Sequence, residues 1–408
     1  MTSERTQIDL ADPEHYLAPD GGIATLRRLQ LETPIFWNRR AGGLPSFWAL
    51  TRHRDGVAVH RDTRSFTSER GMQVGQTEAA AKAAAGRMLI VTDWERHRHL
   101  REVMDQTLRP SVVARLEESM REVVDQSLDD VAGEDSFDFV SAVAGRLPSS
   151  VICALLGVPR ADWSLMVQLT RTAFGSATSD QPISAAERTE ANADIFFYFS
   201  ELLAQRRRQL GDDLISDLAS ARIDGEPLTD EEIVLNVNGL ITGGNETTRH
   251  ASAGAVIALI QNPGEWRRLR ADPAGLAPTA VEEVLRWTAP SLNVMRTALR
   301  EVTVGGQRVR VGERVSIWNP IVNRDEEAFP DADRFDVGRT PNRHLTFGLG
   351  QHFCIGAALA RLELRVLLLT LARRVRRMEM AGPVKRLRSN LMWGVDRVPV
   401  RFEMEDAS

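Results

Sequence analysis

The sequence predicts a mainly α-helical fold with small β-sheets, in one domain covering residues 1–408. Three observations carry this expectation: apolar residues recur at helical spacing through most of the chain, alternating apolar segments are few and short, and one capped helix is long enough to cross a whole domain.

The segment 1–20 is polar and acidic at Met1 to Pro19, without the cationic start and apolar stretch of a signal peptide, and reads as irregular. No run of 18 apolar residues occurs, so the expectation is a cytoplasmic protein with no membrane anchor. Short strands are expected at Pro34 to Trp37, Phe47 to Leu50 and Val302 to Arg310, the last folded back through a Gly305, Gly306 turn; Val398, Val400 and Phe402 alternate again. Helical spacing is sustained over Val112 to Val131, Ala186 to Arg208 and Leu359 to Arg376. Two capping boxes are expected, Thr229 with Glu232 and Thr279 with Glu282, the first opening a helix that runs to about Gln261 before Asn262, Pro263 and Gly264. Ala79 to Ala85 is alanine-rich between Gly75 and Gly86 and reads as a mobile loop with a helical turn. No repeat and no composition shift divides the chain.

Composition narrows the function. Apolar residues at 43% and charged residues at 26% suit a folded globular protein. A formal charge of −5 offers no basic stripe for nucleic acid. The two cysteines, Cys153 and Cys354, are too few for a disulfide framework or a four-thiolate zinc site, so each is read singly. Cys153 lies within the apolar run Val151 to Leu156 and is expected to be an inert core thiol.

Cys354 has other neighbours. Phe347, Gly348, Leu349, Gly350, Gln351, His352, Phe353, Cys354, Ile355 and Gly356 precede the helical run Ala357 to Glu363. A thiol at a helix N-terminus faces unpaired amides, which favour the thiolate, and the glycines let backbone approach a flat ligand. A glycine-rich turn with a buried cysteine is the plainer reading of the segment, and a Cys/His hydrolase using His352 is a third, though it lacks an evident orienting group.

Phe347, Gly350, His352, Cys354, Gly356, Ala360 and Glu363 match the haem-binding signature of the cytochrome P-450 family, and the chain resembles its bacterial soluble members from about Asp12 to Phe402. The resemblance implies a triangular, prism-like fold with the long helix over a haem b (iron protoporphyrin IX) whose iron takes Cys354 as axial ligand. Phe347, Gly348 and Gly356 would border the haem. Gly243, Gly244, Asn245, Glu246 and Thr247 match the oxygen-binding stretch of the long helix: the glycines make room above the haem, and Glu246 and Thr247 deliver protons. Gly243 stands where alanine is commoner. His97 and Arg101, with Arg296 and His352, resemble the propionate-binding set, although Trp94 and Glu95 occupy positions usually held by prolines. Glu283 and Arg286 match a buried structural pair, with Arg334 as the expected third member.

What the resemblance implies for function is a monooxygenase that uses O2 as co-substrate. Its electrons would come from NAD(P)H through ferredoxin reductase and ferredoxin, since the chain has no flavin or iron–sulfur domain; Arg98, Arg109 and Arg343 would receive the acidic partner. The substrate pocket would be lined by Gly71 to Leu89, the Phe174 to Phe197 region, Leu240, Leu292, Val294, Leu391 and Met392, with Asn236 and Asn293 as polar anchors. The wording of Gly243 to Arg249 resembles members acting in bacterial antibiotic biosynthesis on small molecules, some of them carrier-protein-bound. A monomer is expected. Two rivals are a non-oxygenating haem-thiolate binding or recruitment protein, which tends to lose the acid and threonine, and a peroxide-driven peroxygenase, which would not need them.

Overall fold

The computed structural model describes residues 8–41, 44–174 and 183–405. Its helices begin with α1 (Ile23–Glu32), α2 (His53–Arg61), α3 (Glu78–Ala84) and α4 (Trp94–Thr107). Next come α5 (Pro110–Arg115), α6 (Glu117–Asp129), α7 (Arg146–Leu155), α8 (Trp163–Phe174), α9 (Ala185–Arg208) and α10 (Leu214–Ser220). The last five are α11 (Asp230–Gln261), α12 (Pro263–Ala271), α13 (Pro273–Thr288), α14 (Asn319–Val322) and α15 (Ala357–Arg374). The fold is mainly helical, as the periodicity predicts. No described helix is long and apolar enough to cross a membrane.

The central helix α11 starts where the sequence says it should. The Glu232 amide donates to Thr229 Oγ1 at 3.2 Å while the Thr229 amide donates to the Glu232 carboxylate at 2.9 Å, so each end of the box satisfies an otherwise orphaned amide. Its 32 residues give a rod of roughly 48 Å at about 1.5 Å per residue. From Asn245 to Leu259 almost every side chain is buried, packed among α7, α9, α13 and α15. The middle differs: Gly239, Leu240, Gly243 and Thr247 keep accessible surface on one side of the helix.

The strands are β1 (Ile35–Asn38), β2 (Phe47–Leu50), β3 (Phe66–Thr67), β4 (Phe137–Asp138), β5 (Arg222–Ile223), β6 (Glu226–Pro227), β7 (Asn293–Ala298), β8 (Val302–Val304), β9 (Gln307–Val309), β10 (Arg314–Trp318), β11 (Val375–Met380), β12 (Lys385–Arg386), β13 (Val395–Arg397) and β14 (Pro399–Met404). One sheet has the order β1-β2-β10-β7-β3, antiparallel except where β10 runs parallel to β2 with Val315 opposite Trp48. The expected Gly305, Gly306 hairpin joins β8 to β9, both glycines at positive φ, as such a turn requires.

Three local expectations are corrected. Thr279 and Glu282 form no capping box, because α13 begins earlier: Pro273 sits at the first helical position and Asp272 accepts from the Gly275 amide at 3.0 Å. The Thr279 hydroxyl instead donates to the Leu276 carbonyl at 3.0 Å. The single run expected over Val112 to Val131 divides at Leu116 into α5 and α6. The alanine-rich segment is a helix in its own right, α3, capped by Thr77 and stopped before Gly86, whose φ of +77° suits only glycine well.

Candidate functional site

The loop that carries Cys354 is shaped by two left-handed glycines, Gly348 at φ +64° and Gly350 at φ +70°. The Cys354 amide donates to the Phe347 carbonyl at 2.9 Å, folding the loop back on itself, and the Cys354 carbonyl accepts from the Ala357 amide at 3.3 Å where α15 begins. The guanidinium of Arg361 lies 4.7 Å over the Phe347 ring and fixes that side of the loop to α15.

The thiol does not behave as a helix N-terminus alone predicts. Burial dominates and raises the Cys354 pKa; the Gly356 amide and the Arg101 and Arg361 guanidiniums oppose it without prevailing. Cys354 precedes the first helical residue by three positions, and one amide is too little to offset desolvation. A metal cation bound to sulfur reverses that balance outright, since a coordinated thiol is deprotonated. Cys153, the other thiol, is buried in the core and raised to about 12 by that burial, so it is inert as expected.

Glycines leave room on both the cysteine loop and α11. A side chain added at Gly356 or at Gly243 would meet nothing within 4 Å, so both glycines border open space. Gly244 is different: its missing Cβ lies 3.3 Å from Ile152, which makes it a close-packing glycine between α11 and α7 rather than part of an open wall.

Four residues expected around the propionates converge. The His97 and His352 rings are 4.5 Å apart, Arg101 donates from α4 to the Phe353 carbonyl beside the thiol, and Arg296 on β7 is buried within electrostatic reach of both histidines. Their organiser is Asp93, which sequence reasoning passed over. It accepts from the Thr67 hydroxyl at 2.6 Å and the Ser68 amide at 2.9 Å, and its other oxygen is 2.7 Å from His352 Nε2. Burial works to raise the Asp93 pKa, yet these bonds hold it below the ordinary value. Asp105 already meets Arg101 at 2.9 Å, but buried Arg296 has only the Met295 carbonyl, at 2.8 Å, as a hydrogen-bond partner among the described residues, which leaves a cation suited to a further carboxylate. Trp94, where the family favours proline, adopts φ +51° and still opens α4.

On α11, Glu246 is buried and paired with Arg249 one turn along, with His250 Nε2 at 3.7 Å. Burial raises its pKa, while Arg249 and then Arg171 pull it back. One carboxylate oxygen, Oε1, has no protein partner. Glu246, Asn245, Arg249, Arg171 and Asp396 are among the residues that line a cavity of about 450 Å³. The Thr247 hydroxyl donates to the Gly243 carbonyl at 2.5 Å.

The structural pair is where it was expected and its third member is not. Glu283 and Arg286 are fully buried, joined at 2.8 Å through guanidinium Nε and Nη2, and Arg286 also donates to the carbonyls of Asn323 and Ala332 at 2.8 Å. Arg334 offers only its carbonyl, at 3.2 Å, while its side chain is exposed. Arg339 takes the expected role, its Nε 3.1 Å from Glu283, with Asn342 donating at 3.0 Å.

Of the expected pocket residues, Leu240, Val294 and Leu391 keep accessible surface and Met392 little, whereas Leu292 is fully buried in a second core cluster. Neither asparagine is a free anchor. Asn236 accepts from the Leu89 amide and donates to the Arg87 and Glu232 carbonyls, all at 2.8 Å, clasping the 87–89 loop to α11. Asn293 accepts from the Val74 amide at 3.1 Å and donates to the Asn390 carbonyl at 2.8 Å. In the Phe174 to Phe197 region, Phe197 is exposed and residues 175–182 lie outside those described.

Residues 275–392 match the family model described as Cytochrome P450. The chain is 37% identical over 400 residues to cytochrome P450 NovI of Streptomyces niveus, covering 98% of this chain and 97% of that protein. It is 36% identical over 394 residues to the methyl-branched lipid omega-hydroxylase of Mycobacterium tuberculosis, covering 94% and 91%. The crystal structure of P450 OxyD, involved in the biosynthesis of vancomycin-type antibiotics, superposes with a TM-score of 0.90 at 38% identity over 98% of this chain and 100% of that one. With near full-length identity of this order, and with Cys354 on its glycine loop beside a ready-made carboxylate site, the chain belongs to the cytochrome P450 family and is a haem-thiolate monooxygenase.

Proposed function

We propose that this monooxygenase oxidises a small, largely apolar organic molecule in bacterial secondary metabolism. OxyD, a P450 of vancomycin-type antibiotic biosynthesis that is 38% identical, supports that direction. The observation that carries oxygenation rather than mere ligand binding is the presence of Glu246 and Thr247 together, buried acid and half-buried alcohol, on the stretch of α11 that opens at Gly243.

When bound through Cys354, the haem supplies dioxygen activation, and thiolate donation favours O–O cleavage. The chain's own residues do the rest. His97, Arg101, Arg296 and His352 hold the propionates; Leu240, Val294 and Leu391 orient an apolar substrate and keep water away from it. Glu246 takes protons from the adjoining cavity at its Oε1 and passes them toward Thr247, whose hydroxyl, committed as a donor to Gly243, offers its oxygen as an acceptor. Electrons come from NAD(P)H through ferredoxin reductase and ferredoxin, which docks at the exposed arginines Arg98, Arg109 and Arg343. The substrate arrives free or on a carrier protein.

The test is direct. Purified protein, reduced under carbon monoxide, is expected to show the red-shifted Soret band of a thiolate-bound haem. Supplied with NADH, ferredoxin and its reductase, it should convert compounds that displace the iron-bound water signal. Conversion driven by peroxide alone, with none from the reductase system, would replace the reading with a peroxygenase.

A further inference from the structure

A buried polar atom without a partner calls for an explanation, because leaving it unpaired costs about 1–3 kcal/mol. Among the described residues two histidines have both ring nitrogens in this state, His250 and His60. His250 packs on Gly394 one turn from Glu246, its Nε2 3.7 Å from that carboxylate, so the Glu246–Arg249 pair already supplies it with a polar neighbour. His60 sits elsewhere, in the last turn of α2, directly against the cysteine loop. Its Cε1 is 3.3 Å from the position a side chain on Gly348 would take, and its carbonyl is 3.0 Å from the equivalent position on Gly350, so both glycines are needed for α2 to approach so closely.

The neighbours of His60 are informative. Arg296 and His352 act on it electrostatically, and the His352 ring touches His97. His60 therefore belongs to the cluster that holds the propionates, although it is carried by an element that supplies none of the other members. Asp93, the carboxylate that meets His352, is engaged by Thr67, Ser68 and His352 and makes no hydrogen bond to His60. Burial first, then Arg296 and His352, lower the His60 pKa to about 3, so the ring is neutral and carries one N–H to give. A phenylalanine or leucine would fill the same volume without orphaned nitrogens, so packing does not account for a histidine.

We propose that His60 is a haem-binding residue, donating a ring N–H to a propionate carboxylate alongside Arg296 and His352. The inference rests on the haem assignment and adds α2 to the elements that hold the cofactor. Its consequence is retention: a hydrogen bond to a charged carboxylate slows cofactor loss about tenfold or more.

The experiment uses holoenzyme and follows haem transfer to excess apomyoglobin. His60→Phe and His60→Leu are expected to lose haem about tenfold faster than wild type, and His60→Gln, which retains an N–H, to recover most of the difference. The propionate-bending band in the resonance Raman spectrum should shift in both apolar variants. Protein reconstituted with haem dimethyl ester, whose propionates cannot accept as carboxylates, should lose cofactor at the same rate with or without His60. Unchanged transfer rates, an unmoved band, or equal losses in the apolar and glutamine variants would each overturn the role. If one apolar variant fails to fold, the other and His60→Gln carry the comparison. A colourless wild type would instead defeat the haem assignment itself.

Discussion

Glu246 holds Arg249 across one turn of α11, both of them buried, at the point where the helix borders the 450 Å³ cavity. The acid expected to relay protons is thus an ion-paired acid with one oxygen spare, not an isolated carboxylate. Glu246→Gln keeps the shape and removes the exchangeable acid. Turnover supported by the reductase system should fall about 100-fold, with an enlarged solvent isotope effect and unchanged substrate-induced spectral shift. Wild-type turnover in this variant would remove Glu246 from the relay.

Thr247 makes a different prediction because its hydroxyl bonds only to its own helix, at Gly243. Thr247→Ala loses a local bond that contributes little to stability, about 1 kcal/mol or less. The expected change is in coupling: NADH consumption continues while product per NADH falls severalfold and peroxide rises. Product and peroxide yields that match wild type would reduce Thr247 to the helix-bending threonine its bond to Gly243 also describes.

Much of this site was legible in the sequence, and the misses share a cause. Cys354, the α11 capping box and the buried pair Glu283 and Arg286 follow from local spacing, which fixes side chains relative to their own helix or loop. Asp93 and Arg339 act across elements distant in the chain, and His60 packs across one, where no periodicity connects the partners. Asn236 and Asn293 looked like substrate anchors because polar residues in an apolar lining invite that reading; in three dimensions a loop amide and neighbouring carbonyls occupy them. The Cys354 pKa also went the other way from the helix-dipole argument, since that argument omits burial.

The pair Glu283 and Arg286 predicts a stability defect rather than a catalytic one. Its guanidinium and carboxylate satisfy each other, three further carbonyls and Arg339, so removing one partner strands a buried charge. Glu283→Ala or Arg286→Ala should cost about 3–5 kcal/mol. The measurement is the yield of haem-loaded soluble protein together with its denaturation midpoint. Arg334→Ala, by contrast, should leave both unchanged, because only its main chain takes part.

Glu282 gives a pH signature. Burial alone would raise its pKa, but hydrogen bonds from His344 and from Arg361, at 2.6 and 3.0 Å, pull it down to about 2. The Thr346 amide donates to His344 Nδ1 at 3.3 Å, so Nε2 carries the hydrogen toward Glu282 without any need for a charged ring. A depressed carboxylate stabilises the fold above its unfolded pKa and loses that contribution as pH falls through the folded value. Wild type should therefore exceed Glu282→Gln in stability by about 1 kcal/mol near neutrality, after allowance for the solvent that reaches the pair. That advantage should shrink as pH drops from about 5 toward 2. Denaturation midpoints of both proteins across this range provide the check, and a difference that grew on acidification would contradict the pairing of Glu282 with Arg361 across α13 and α15.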